Sequence, residues 1–293
     1  MLVASLIDPS LAYLGKIKTK NDSALPNLFI LREESVTAFD AVVYDPVVCL
    51  ILQGAKVTII GDQVTKLGAG DALIVSHDLP VQSKITIASA PQPYLALILS
   101  LDLSLIRSLY EQVGSHVHEV PKARSLSSGP ADPDLIDAVG RYLALQNEPL
   151  DAKVLGPAIL REIHFRLLMS STGGMLRSLL TVDSHASRVS KAILKLRAEF
   201  TETLGIADLA QVAGMSQSSF HGHFKLVTGT TPLQYQKDLR MIAARDLLRS
   251  GRHNVSAVSY EVGYESPTHF SRDYHRKFGV TPSTETTVSL NYS

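Results

Sequence analysis

Residues 206–232 and 256–282 repeat one another at an offset of fifty. Val212 falls on Val262, Ser216 on Ser266, Phe220 on Phe270 and Phe224 on Tyr274; Gly229, Thr231 and Pro232 fall on Gly279, Thr281 and Pro282. The matched residues are those that set turns, caps and buried faces, so the chain must build one small helical unit twice. In each copy a short helix (206–213; 255–262) meets a glycine-containing turn, Gly214-Met215-Ser216 or Gly263-Tyr264-Glu265-Ser266. Such a turn sets two helices at a steep angle, as in a helix-turn-helix. Ser216 and Ser266 then cap the second helix, and Pro267 suits the first helical position of copy two.

The pairs Phe220/Phe224 and Phe270/Tyr274 are four residues apart, so each pair shares a face that must be buried. The opposite face carries Gln217, Ser218, His221 and Lys225 in copy one. In copy two it carries Thr268, His269, Ser271, Arg272, His275 and Arg276. These side chains, with the capping Ser216 and Ser266, suit base edges and phosphates in a major groove, and Lys277 is a further candidate for phosphate. The bland alternative is a solvated polar face on a helical bundle, but helix, turn, cap and face recur together. A single helix over 232–249 connects the copies. If both second helices enter successive major grooves, they should stand about 34 Å apart.

The net charge of zero averages two unlike halves. Residues 1–185 hold 15 basic against 19 acidic residues; 186–293 hold 13 against 9, with five of the ten histidines. The basic half fits an anionic partner. A single cysteine, Cys49, excludes an intramolecular disulfide and a Cys-rich zinc site. No secretory signal and no membrane-length apolar run is legible, so a cytoplasmic location is expected.

Between 41 and 100 short apolar runs alternate with turn signals: 47–53, 56–60, 64–67, 72–76, 84–88 and 94–99, with Gly61, Gly68 and Gly70 as hairpin turns. This spacing predicts an antiparallel barrel or sandwich. Helices follow at 103–113, 134–146 and 157–170, the last starting at Pro157 and ending at Gly173-Gly174, while 125–133 reads as a linker. The expected fold class is α+β: an N-terminal antiparallel barrel and an all-α C-terminal part with two helix-turn-helix motifs. The expected division is an effector domain over 1–120, a helical linker and dimerisation region over 121–185, and a DNA-binding domain over 186–290.

The segments 206–248 (IADLAQVAGMSQSSFHGHFKLVTGTTPLQYQKDLRMIAARDLL) and 262–283 (VGYESPTHFSRDYHRKFGVTPS) resemble the AraC/XylS family of bacterial transcription regulators. Upstream, LQGAKVTIIGDQV (52–64), VSHDLPVQSKI (75–85), PYLALILSLD (93–102) and REIHFRLLMS (161–170) are similar to the cupin-like regulatory domain of one subgroup. The resemblance implies a one-component regulator. Its N-terminal domain would bind a small-molecule effector inside the barrel, often as a homodimer. Its C-terminal domain would bind promoter DNA and contact RNA polymerase. One departure is Gly222, standing where the family usually has arginine and where copy two has Arg272. Copy one is therefore expected to grip DNA less tightly. The other is the tail, 283–293, which shows no clear final helix.

Enzymatic readings are weaker. A metal-dependent cupin enzyme needs clustered histidines, and 41–100 offers only His77; His116 and His118 have the His-x-His spacing but follow the barrel. No catalytic residue, metal or cofactor is expected. A second rival is an interaction protein whose C-terminal helices bind another protein. Cys49 has no cation within three positions, so it reads as an inert core thiol rather than a sensor. Glu33-Glu34 and Asp132/Asp134 read as solvated or capping carboxylates.

Overall fold

A computed structural model describes residues 3–15, 25–113, 124–181, 183–251 and 253–285. His116, His118 and the tail beyond 285 lie outside the described residues. Among the described residues, nine strands form two antiparallel sheets. The first, in the order β1-β8-β3-β6-β9, joins Leu28–Glu33, Tyr94–Ser100, Val47–Gln53, Asp71–Val75 and Leu126–Pro130. The second, β2-β7-β4-β5, joins Asp40–Tyr44, Leu79–Ile87, Ala55–Ile60 and Gln63–Gly68.

Strand β3 explains why its sequence reads as an unbroken apolar run. Cys49 and Ile51 point between the sheets, where they meet Leu73, Val75, Leu67 and Ile85. Val48, Leu50 and Leu52 point the other way, onto helices. A strand covered on both faces has no reason to alternate. The helical cover is α1 (Ile7–Leu14), α2 (Leu103–Val113), α3 (Pro133–Ala144) and α4 (Pro149–Met169), whose Leu135, Val139, Tyr142, Ile163 and Leu167 share that core. His164 ties α4 to the start of α2: its Nδ1–H donates to the Leu160 carbonyl at 2.7 Å and its Nε2 accepts from the Asp102 N–H at 2.9 Å.

Two readings of the sequence are corrected here. Residues 125–133 are no linker: β9 pairs with β6 from Leu126↔Val75 to Pro130↔Asp71. It is an edge strand, where a proline leaves no ladder hydrogen bond unmade on its solvent side. Helix α4 starts at Pro149, with Pro157 inside it. The rule for a proline at the first helical turn holds, applied one proline too late. Asp132 does cap α3, accepting from the Asp134 N–H at 2.8 Å.

Helix α5 (Gly174–Leu180) leads into six further helices: α6 (His185–Ala198), α7 (Ile206–Val212), α8 (Gln217–Thr228), α9 (Pro232–Arg249), α10 (Val255–Glu261) and α11 (Pro267–Phe278). A short helical turn follows at residues 282–285. The core between the two sheets does not stop at the last strand. It runs on through Val189, Ala192 and Leu196 of α6, Leu209 of α7, Phe220 and Phe224 of α8, and Tyr235 and Leu239 of α9. Copy two has a separate core of Met241, Ala244, Leu248, Val258, Val262, Phe270 and Tyr274.

Candidate nucleic-acid interface

Both copies of the repeat are built by the same hydrogen bonds. Helix α7 ends with the Gly214 N–H on the Gln211 carbonyl and the Met215 N–H on the Ala210 carbonyl, each at 2.9 Å. Helix α10 ends with Gly263 on Tyr260 and Tyr264 on Ser259, again at 2.9 Å. This double bond closes a helix only when the residue after the cap is left-handed, and Gly214 and Gly263 have φ of +63° and +84°. Gly263 is further constrained by packing, since a Cβ there would lie 1.9 Å from the Thr201 carbonyl oxygen.

The second helices begin and end alike. Ser216 Oγ accepts from the Ser219 N–H at 3.3 Å, and Ser266 Oγ caps α11 at the His269 N–H. Both end at a left-handed glycine, Gly229 or Gly279. The rings of Phe220, Phe224, Phe270 and Tyr274 are completely buried, as the four-residue spacing requires.

The opposite faces are open. Ser216, Gln217, Ser218, His221 and Lys225 are exposed in copy one, together with Gly222. In copy two Thr268, His269, Arg272, His275 and Arg276 are exposed, with Ser266 and Ser271 half-buried beside them. Among the described residues, Lys225 and Arg272 make no ion pair with the protein. Arg276 reaches Asp273 at 2.6 Å yet keeps a side chain 64% exposed. Lys277 is spent on Asp238, 2.7 Å away, with only 16% of its side chain exposed, so it is not free for phosphate. A Cβ on Gly222 would meet nothing within 4 Å, so the missing side chain is not a packing requirement.

Several residues that shape these faces were not singled out from sequence. Asp273, buried on α11, holds Lys237 at 2.6 Å, Arg276 and the Tyr264 hydroxyl. Burial works to raise its pKa, but the Lys237 bond and charge, with Tyr264 and Arg276, keep it below the usual carboxylate range. Arg240 on α9 donates to the carbonyls of Phe200, Thr201, Glu202 and Gly263. It thereby stitches the turn of copy two to the segment before copy one. The spacing of such partners, 23 to 40 residues, hides them from local pattern reading.

Copy one is also clamped to the sandwich. The Tyr235 hydroxyl donates to the Asp78 carbonyl, and the Ser125 N–H donates to the Val227 carbonyl at 2.9 Å. Arg197 of α6 lies 3.5 Å from Asp45 and 3.6 Å from Asp78, while Asp40 of β2 pairs with Arg245 of α9. Between the sheets, Lys56 Nζ lies 3.7 Å from Cys49 Sγ, a cation supplied by β4 that the neighbours of Cys49 in sequence do not announce.

The chain matches the family model for the AraC-type transcriptional regulator N-terminus over residues 24–175, and that of a helix-turn-helix domain over 209–286. It belongs to the AraC-type transcriptional regulators. It is 32% identical over 101 residues to the HTH-type transcriptional activator RhaS of Shigella boydii, covering 34% of this chain and 36% of that one. To RhaS of Citrobacter koseri it is 30% identical over 146 residues, covering 48% and 51%. The chain thus spans about half or less of the length of the curated relatives it matches. The fold is that of ToxT from Vibrio cholerae, with a TM-score of 0.54 at 14% identity over 89% of this chain and 97% of that one.

Proposed function

We propose that this chain is a sequence-specific regulator of bacterial transcription that binds double-stranded promoter DNA through α8 and α11 and is modulated by a small-molecule effector. One observation carries the reading: two helix-turn-helix units with the same caps and turns both leave their polar second-helix face open. The DNA-contacting residues are Ser216, Gln217, Ser218, His221 and Lys225 in copy one. In copy two they are Ser266, Thr268, His269, Ser271, Arg272, His275 and Arg276. The connecting α9 has 18 residues, about 27 Å at 1.5 Å per residue, a length suited to holding two helices near one turn of DNA apart.

The functional division we favour is an effector part over 1–120, a dimerising part over 121–185 that also completes the first sheet through β9, and a DNA-binding part over 186–290. Leu150, Val154 and Leu155 on the first turns of α4 are 73, 64 and 47% exposed and offer an apolar face for a homodimer. Contact with RNA polymerase and a bacterial cytoplasmic location complete the reading. No helix among the described residues is long and apolar enough to cross a membrane. The rival, a cupin metalloenzyme, is disfavoured because residues 41–100 hold a single histidine, His77, and one imidazole does not make a cupin metal site.

The test is an anisotropy titration of the full chain against its own upstream promoter fragment and a scrambled fragment. We expect preference for the promoter and a steep fall of affinity with salt. Equal, weak binding to both fragments would refute the reading.

A further inference from the structure

At one edge of the sandwich, where the β6–β7 loop meets α2, α5 and α6, lies a cavity of about 210 Å³. Its walls include His77 from the loop, Ile106 and Arg107 of α2, Leu176 of α5, and Ser190 and Ile193 of α6. Most of the wall is aliphatic. An apolar cavity of about 150 Å³ holds a benzene ring, so this one suits a molecule one step larger.

Two polar groups set what the molecule must carry. His77 is fully buried, and burial pushes it down to about 4, so the ring is neutral. Its Nδ1 lies 3.0 Å from Ser76 Oγ and 3.1 Å from Ser125 Oγ. The Ser76 hydroxyl has the Ser125 carbonyl as an acceptor at 3.2 Å. The Ser125 hydroxyl has no acceptor but Nδ1 among the described residues, so its proton points there and the ring's own proton sits on Nε2. That Nε2–H is buried and has no partner among the described residues, an arrangement folded proteins avoid. Arg107 is the second group: exposed on α2, it makes no ion pair or hydrogen bond among the described residues. Asp78 also borders the cavity, but its carboxylate faces Arg197 at 3.6 Å, so the uncompensated charge there is positive.

We propose that this cavity is a binding site for a small carboxylic acid with an apolar body, one aromatic ring or a short alkyl chain. Arg107 takes the carboxylate, His77 supplies a buried donor, and Ile106, Leu176 and Ile193 enclose the body. The site lies beside the sandwich rather than between its sheets, and the loop that walls it also holds copy one. Ser76 N–H donates to the Ser125 carbonyl, Ser125 N–H donates to Val227 at the end of α8, and the Asp78 carbonyl receives Tyr235 of α9. An occupant therefore touches the parts that fix the first helix-turn-helix. That consequence rests on the regulator reading; binding itself does not.

Isothermal titration of the full chain with benzoate, phenylacetate and hexanoate, and with benzyl alcohol as the uncharged control, tests the site. At least one acid should bind. Arg107→Ala should weaken it about tenfold, about 1.4 kcal/mol, and leave benzyl alcohol unchanged. Ser190→Trp, which fills the cavity from α6, should abolish binding of both, with circular dichroism melts checking that each variant folds. Absence of binding by all three acids, or binding indifferent to both substitutions, overturns the proposal. A chain that binds promoter DNA and none of the acids refutes the site alone; one that binds an acid and no DNA refutes the regulator reading alone.

Discussion

The two helix-turn-helix copies share their turns, caps and buried rings, yet they are embedded differently. The rings of copy one belong to the core that fills the sandwich, and Tyr235 and Val227 bond directly to its loops. Copy two has a small core of its own and is tied back through Arg240. Their open faces are unequal too: copy two presents Arg272 and Arg276, copy one has Gly222 where its twin has Arg272. One unit shares the core of the regulatory part and has a glycine at this position; the other has a core of its own and presents two arginines. On the proposed function, this difference predicts that an effector would shift copy one relative to DNA more than copy two.

The sharpest way to break this comparison is through the two cores. Phe220→Ala and Phe270→Ala should each cost about 3–5 kcal/mol locally. Phe270→Ala should loosen only copy two, leaving sandwich amides protected in hydrogen exchange. Phe220→Ala should raise exchange in β3 and β6 as well. Equal confinement of both effects would show that the shared core is not cooperative.

A next effect concerns the loop that clamps copy one. His77 is held neutral, with its value lowered from 6.5 to about 4. Between those values the unfolded chain binds a proton that the folded chain does not, so stability falls as pH drops from 6.5 to 4 and levels off below. The loss from this group should total roughly 3 kcal/mol, at 1.36 kcal/mol per unit. Urea denaturation across this range checks it. His164, also lowered by burial, contributes with the same sign, so His77→Asn is the comparison that isolates the group: its profile should be flatter.

The smallest effect sharpens the inequality of the faces. Gly222→Arg places a cation where a Cβ meets nothing, so the fold should accept it. Promoter affinity should rise by about 1 kcal/mol and the salt slope should steepen by about one. Unchanged affinity and slope would mean that α8 does not approach phosphate at this position.

Much of the C-terminal part was legible because its signals are local. Ser216, Gly214, Phe220 and Phe224 each act within one or two helical turns, and their twins fifty residues on removed the ambiguity of a single motif. The strands from β3 to β6 were legible for the same reason, since Gly54, Gly61, Gly68 and Gly70 mark their connections, whereas β7 begins at Leu79, five residues before the run read at 84–88. What stayed hidden depends on distant partners. Strand β9 reads as a loop until β6 lies beside it, and Lys277 reads as free until Asp238 of α9 reaches it. The continuity of copy one with the sandwich, made by Phe224, Tyr235 and Asp78, has no sequence signature at all.

The most direct test of the unequal reading heads is a side-by-side titration of the promoter fragment. One variant carries Arg272→Ala; the other carries Gln217→Ala, Ser218→Ala and His221→Ala together. Arg272→Ala should cost about 1–3 kcal/mol of promoter affinity and relax preference over scrambled DNA. The triple variant should cost less than that single change. A triple variant weaker on promoter DNA than Arg272→Ala would contradict the account and make copy one the principal reader.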